Sequence, residues 1–280
     1  MRVFVTGAAG HIGSLVVAEL LGAGHEVTGL ARSDASATAL KAAGAQVHRG
    51  TLEDLDSLRA ATASADGVIH LAFIHDFSDF AASLATDLRA VETMGAALEG
   101  TGKPFVITAH RDGEASENAA FALVGVRSVV VSLSPSVHGP ADRHGFIPTL
   151  IRIAREKGVS AYVGDGANRW SAVHELDAAR LFRLALEGAP AGSRLYGVGD
   201  EGVPFREIAE SIGRHLHVPV VSVAREEATA HFGWLGSIAS LDIPVSSVAT
   251  RELLGWRPVH PGLIRDLEEG HYFDRSVPAQ

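Results

Sequence analysis

Cysteine is absent from this 280-residue chain. That excludes disulfides, thiolate nucleophiles and cysteine-ligated metals, and it is compatible with a reducing compartment. Net positive charge is also lacking: the formal balance is −9, whereas nucleic-acid binders neutralise phosphate with clustered Lys and Arg. No run of about five like charges makes an acidic or basic tail, and nowhere do roughly 18 apolar residues run together as a membrane span would. The opening MRVFVTGAAG has too few apolar residues before its glycines to act as a secretory h-region. The expectation is a soluble, cytoplasmic protein whose partner is a small-molecule substrate, not a nucleic acid or a membrane. Tyrosine is scarce as well, confined to positions 162, 196 and 272.

What is present is an alternation of short β-branched runs with helical periodicity. Strands are predicted at Arg2–Thr6, Glu26–Ala31, Gln46–His48, Gly67–Ala72, Pro104–Thr108 and Ser128–Leu133. Between them lie predicted helices at Ile12–Leu21, Ser36–Ala43, Leu55–Ser64, Phe80–Glu99 and Ser116–Leu123. Strands joined by helices of this length pair in parallel through right-handed crossovers, so the fold class is α/β, a Rossmann-type doubly wound parallel sheet. After Pro135 the pattern loosens. The reading is a dinucleotide-binding core over 1–140, to which 174–200 returns, and a small C-terminal substrate-binding lobe from 141–173 and 201–280.

Thr6-Gly7-Ala8-Ala9-Gly10-His11-Ile12-Gly13 follows a strand and opens a helix, the context a dinucleotide-binding loop requires. Gly7 permits the tight turn, Gly10 lets the backbone approach a pyrophosphate, and Gly13 lets the helix pack near the strand. The second strand ends in Ala31-Arg32-Ser33. An acidic residue there would hydrogen-bond the ribose 2′-OH of NAD; Arg32 and Ser33 instead suit a 2′-phosphate, which favours NADP(H) over NAD(H).

Along nearly its whole length the chain resembles the extended short-chain dehydrogenase/reductase superfamily. The resemblance rests on the Thr6–Gly13 loop, on Gly67-Val68-Ile69-His70-Leu71-Ala72, and on the Ser136-Val137-His138-Gly139-Pro140 turn. Val173-His174 with Asp177, and Leu254-Gly255-Trp256-Arg257-Pro258, extend it. It implies cofactor contacts at Gly7, Ala9, Gly10, His11, Ile12, Gly13, Arg32, Ser33, Leu52, Leu71, Ala72 and Phe73. It also implies a Ser or Thr after the fifth strand and a Tyr-x-x-x-Lys pair opening the next helix, and these are missing. Between Thr108 and the sixth strand the chain reads AHRDGEASENAAFALVGVR, with neither Tyr nor Lys. Thr51 and Ser132 replace an Asp and an Arg common in relatives.

His110, in Thr108-Ala109-His110, falls at the serine position, and histidine is the natural proton-transfer group near neutral pH. The candidate catalytic set is His110, Thr108, Asp112 and His138, with Asp112 as an orienting carboxylate. Filling of a shortened loop is the competing reading for His110. His75, Phe146 and Trp170 are candidate substrate contacts, each also readable as cap or core, and His70 reads as a packed strand residue. No H-x-x-x-H or His/carboxylate cluster at ligand spacing appears, which argues against a metal. Three functions stay open: a reductase of a small, mostly apolar carbonyl or alcohol; a non-redox dehydratase, isomerase or cyclase; and a non-catalytic NADP sensor. The resemblance also raises a homodimer through the Phe80–Glu99 and Ser116–Leu123 helices, the second of which is short for the purpose.

Overall fold

The computed structural model describes residues 1–74, 76, 79–110 and 112–274. In chain order the elements begin β1 (Arg2–Thr6), α1 (His11–Gly22), β2 (Glu26–Ala31), α2 (Asp34–Ala42), β3 (Gln46–Arg49), α3 (Leu55–Ser64) and β4 (Gly67–His70). There follow α4 (Phe80–Leu98), β5 (Pro104–Thr108), α5 (Glu114–Ala122), β6 (Arg127–Leu133), β7 (Ser136–His138), α6 (Phe146–Lys157), β8 (Ser160–Val163) and β9 (Arg169–His174). The remainder is α7 (Glu175–Gly188), β10 (Ser193–Gly197), β11 (Asp200–Pro204), α8 (Phe205–Leu216) and β12 (Val220–Val223). Last come α9 (Ala228–Phe232), α10 (Gly236–Ala239), α11 (Val248–Leu254) and α12 (Leu263–Glu268).

Two compact units divide these elements. The first comprises Met1–Ser132, Ala179–Leu195 and Ala249–Trp256; the second comprises Leu133–Ala178, Tyr196–Val248 and Arg257–Gln280. The first is built on a seven-stranded sheet in the order β10-β6-β5-β4-β1-β2-β3. Strands β3 through β6 pair in parallel, and Thr6 of β1 lies in register with His70 of β4. The order reverses at β1, where the chain next leaves the sheet for α1, and that is where ligands bind in doubly wound sheets. One core layer packs Phe4, Val68 and Phe105 of the strands against Ala90, Val91, Met94 and Leu98 of α4. Arg127 fastens the returning segment by donating to the carbonyls of Ala185 (3.4 Å), Leu186 (2.6 Å) and Ala189 (2.9 Å) at the end of α7. Ala185 O also accepts from Ala189 N at 3.2 Å, while Leu186 and Ala189 are last-turn carbonyls that the helix's own N–H groups no longer reach.

Helix starts differ from the sequence expectation for a local reason. Ser33 Oγ accepts from Ser36 N at 3.1 Å, so α2 begins at Asp34 and not Ser36. α5 likewise begins early, with Glu114 and Glu117 in its first turn, where the helix dipole favours acid. The second unit holds a three-stranded sheet, β11-β9-β7, and a two-stranded one, β12-β8. Its core centres on Trp170, wedged against Phe205 with ring centroids 4.8 Å apart and surrounded by Ile147, Ile208 and Leu263. No helix among the described residues is long and apolar enough to cross a membrane.

Candidate functional site

The three loop glycines answer to different constraints. Gly7 has φ +67°, and a Cβ there would lie 2.7 Å from Ala72 N. At Gly13 a Cβ would lie 2.0 Å from Gly7 O. Both positions are therefore imposed by the chain itself. Gly10 has an ordinary φ of −78°, and a Cβ there would meet only Gly7 O, at 3.2 Å. Its outer side is bounded by nothing else within 4 Å, so the feature it preserves is open space above the start of α1.

That helix start carries no side-chain cap and no acid in its first turn. The neighbouring helices α2, α3 and α4 are capped by Ser33, Asp54 and Asp79. An uncapped first turn presents backbone N–H groups at the positive end of the helix dipole, a ready site for phosphate oxygens. Ala9 and Gly10 are exposed above it, while His11, Ile12, Leu71, Ala72 and Phe73 are half-buried around it. The donor set and the cleared space fit the pyrophosphate of a dinucleotide. Arg32 is exposed just past β2, and among the described residues no ion pair engages it. The nearby acid, Asp34, is held by Arg49 from the end of β3. Ser33 Oγ is committed to the α2 cap as an acceptor but can still donate. Leu52 is buried.

Beneath the loop runs a buried polar chain that the sequence reading missed. Thr6 Oγ1 accepts from Leu71 N and Ala72 N, both at 3.2 Å, so its own proton points to His70 Nδ1, 2.6 Å away. His70 Nε2–H then donates to Asp87 Oδ1 at 3.0 Å, and Ser116 Oγ donates to Asp87 Oδ2 at 2.6 Å. Burial pushes the Asp87 carboxyl up. The bonds donated by His70 and Ser116, with the pull of His110, outweigh it and hold the carboxyl below its usual range. His70 is thus buried as expected, yet it works as a link and not as inert packing. The overlooked signal was in α4: Ser83, Asp87, Ala90 and Met94 share its buried face, and a carboxylate on an apolar stripe needs partners.

His110 follows β5 and stacks on Phe73, with ring centroids 4.2 Å apart. Gly113 N donates to His110 O at 3.0 Å, and Ser116 N to Gly113 O at 3.1 Å. The turn carrying His110 therefore runs directly into the residue that holds Asp87. Thr108 Oγ1 donates to His70 O at 3.2 Å. Asp112 is exposed, at φ +57°. His75 lies outside the described residues. In the second unit, Trp170 is 0% exposed and belongs to the core. Phe146 packs on Trp170 (5.5 Å) and Trp234 (5.9 Å) but stays half-exposed. His138 is 0% exposed and donates through Nδ1 to Asp266 at 2.8 Å. The spacing Asp266-x-x-Glu269-x-His271, also passed over in the sequence, brings three ligand-type side chains together.

Comparison with known proteins agrees with this geometry. The profile of the NAD dependent epimerase/dehydratase family matches residues 3–98, which span β1 to the end of α4. The uncharacterized protein C2A9.02 of Schizosaccharomyces pombe is 48% identical over 297 residues, covering 98% of this chain and all of its own. A 4-hydroxy-2-methyl-3-oxo-4-farnesyl-3,4-dihydroquinoline-1-oxide ketoreductase of Stigmatella aurantiaca is 27% identical, over 83% of this chain and 80% of its own. Among solved structures, the dTDP-glucose 4,6-dehydratase DesIV of Streptomyces venezuelae, with NAD and TYD bound, superposes with a TM-score of 0.75. It has 22% identity over 96% of both chains. With its glycine loop, its seven-stranded sheet and these relatives, the chain belongs to the NAD dependent epimerase/dehydratase family, within the extended short-chain dehydrogenase/reductase superfamily.

Proposed function

We propose that the protein is an NADP(H)-dependent reductase of a small, mostly apolar carbonyl compound, able to oxidise the matching alcohol in reverse, with His110 as its proton donor. The observation that carries this reading is the open space over Gly10 at an uncapped helix start, followed by Arg32 where an NAD-selective chain has an acid. Arg32 provides a planar, permanently charged partner for a 2′-phosphate. The ketoreductase of Stigmatella aurantiaca, which by its name acts on a farnesylated quinoline oxide, supports a mostly apolar carbonyl substrate.

Carbonyl reduction needs a hydride at carbon and a proton at oxygen. The nicotinamide supplies the hydride when bound. As the C=O π pair collapses onto oxygen, a ring N–H of protonated His110 gives its proton to that oxygen, and solvent restores it. Phe73 braces the imidazole, its ring centroid 4.2 Å away. The test is NADPH oxidation, followed by absorbance, across a panel of aromatic and aliphatic ketones and quinones. His110→Ala should lower kcat about 10²–10⁴-fold and leave the NADPH Kd unchanged. Tight NADPH binding with no turnover on any carbonyl would sink the reductase reading and favour the non-redox or sensor alternatives.

A further inference from the structure

The second unit buries a carboxylate that its own hydrogen bonds do not neutralise. Asp266, on α12, is 0% exposed. Its Oδ2 accepts from His138 Nδ1 at 2.8 Å, and its Oδ1 has no hydrogen-bond partner among the described residues. A carboxylate so deeply buried is costly unless a cation accompanies it. The chain beyond α12 is shaped to bring ligands to it. Glu269 stands one turn past Asp266, and Gly270, at φ +84°, ends the helix in the left-handed region and turns the backbone back. His271 thereby returns toward α12. Its Nε2 is buried without a hydrogen-bond partner and lies 3.8 Å from Asp266 Oδ2. Tyr272 backs the His271 ring at 4.4 Å, and its own hydroxyl accepts from Gly139 N (2.9 Å) and donates to Asp142 Oδ2 (3.1 Å). One ligand atom each from Asp266, Glu269 and His271 falls within 4.8 Å of the others.

We propose that Asp266, Glu269 and His271 form a divalent-cation site suited to a borderline transition metal such as Zn²⁺. The donor set is two carboxylates and one imidazole. Ca²⁺ and Mg²⁺ favour all-oxygen shells, whereas an imidazole favours zinc and its neighbours in the transition series. Ligand bonds of about 2.0–2.2 Å require the three groups to close by roughly an ångström, which the exposed Glu269 and the turn at Gly270 allow. His138 takes the outer-shell role: its Nδ1–H fixes one Asp266 oxygen and orients the carboxylate. The ion would neutralise Asp266 and tie the turn after α12 to β7. Three protein ligands leave a position for water.

The experiment is calorimetric titration of tag-free, EDTA-stripped, full-length protein with ZnCl₂, with MnCl₂ and CaCl₂ in parallel. One Zn²⁺ per chain is expected, with Ca²⁺ at least about 100-fold weaker. His271→Ala and Glu269→Gln should each weaken Zn²⁺ by at least about tenfold and abolish the Zn²⁺-dependent rise in Tm, with the circular dichroism spectrum retained. Asp266→Asn is less suited, because its carboxylate is buried against His138; the exposed Glu269 keeps the test decisive if that variant misfolds. Absence of stoichiometric Zn²⁺ binding, or binding that neither variant changes, would overturn the site.

Discussion

A methyl group at Gly13 would sit 2.0 Å from Gly7 O, whereas at Gly10 it would meet only that same oxygen, at 3.2 Å. The two substitutions should therefore separate folding from binding. Gly13→Ala is expected to destabilise the first unit by about 3 kcal/mol in urea melts, the upper range for overpacking. Gly10→Ala should melt close to the parent protein yet weaken NADPH by about tenfold in a fluorescence titration, since its methyl occupies the phosphate approach. Equal loss of stability in both would mean that Gly10 serves the fold and not a ligand. The motif itself was readable from the sequence because every residue in it is local to one strand–turn–helix step. The division of labour among its glycines was not, because Gly7 is constrained by Ala72, which arrives from β4.

Elements are coupled by polar groups as well as by packing. Thr6, His70, Asp87 and Ser116 join β1, β4, α4 and α5 in one buried chain. Removing its anion leaves a histidine and a hydroxyl unsatisfied, so Asp87→Ala should cost about 3 kcal/mol, as breaking a buried pair does. The pH dependence follows from the depressed folded-state value of Asp87. Its stabilisation is complete above the unfolded value, near about 3.9, and is lost as pH falls through the lower folded value. Urea stability measured against pH should lose part of its acid-side slope in Asp87→Ala. An unchanged slope would contradict the charged assignment. The element order of the first unit was legible from alternating periodicity. β7, β9 and β11 were not, because they fall outside the alternating strand–helix pattern and pair with distant segments: β9 lies parallel to β7 and antiparallel to β11.

At the scale of the whole chain, sequence distance limited what could be foreseen. His138 and Asp266 are 128 positions apart, and nothing in either local stretch announces the pair. The second unit also carries a pH signature. Burial depresses His174, and the charges of His138 and His260 add to this, outweighing the opposite pull of Asp266 and Glu175. Leu176 N donates to His174 Nδ1 at 3.2 Å, which requires the neutral ring. A histidine lowered on folding contributes stability that is complete above about pH 6.5, its unfolded value, and that declines as pH falls through the folded one. Thermal melts should thus lose Tm below about pH 6.5, and His174→Gln should flatten that limb.

The central claim is that the glycine loop and Arg32 hold a 2′-phosphorylated dinucleotide, and fluorescence titration with NADPH and NADH tests it most directly. The expected result is NADPH binding at least about tenfold tighter than NADH, with the difference removed by Arg32→Ala. Equal affinity for the two, or binding of neither, would contradict it.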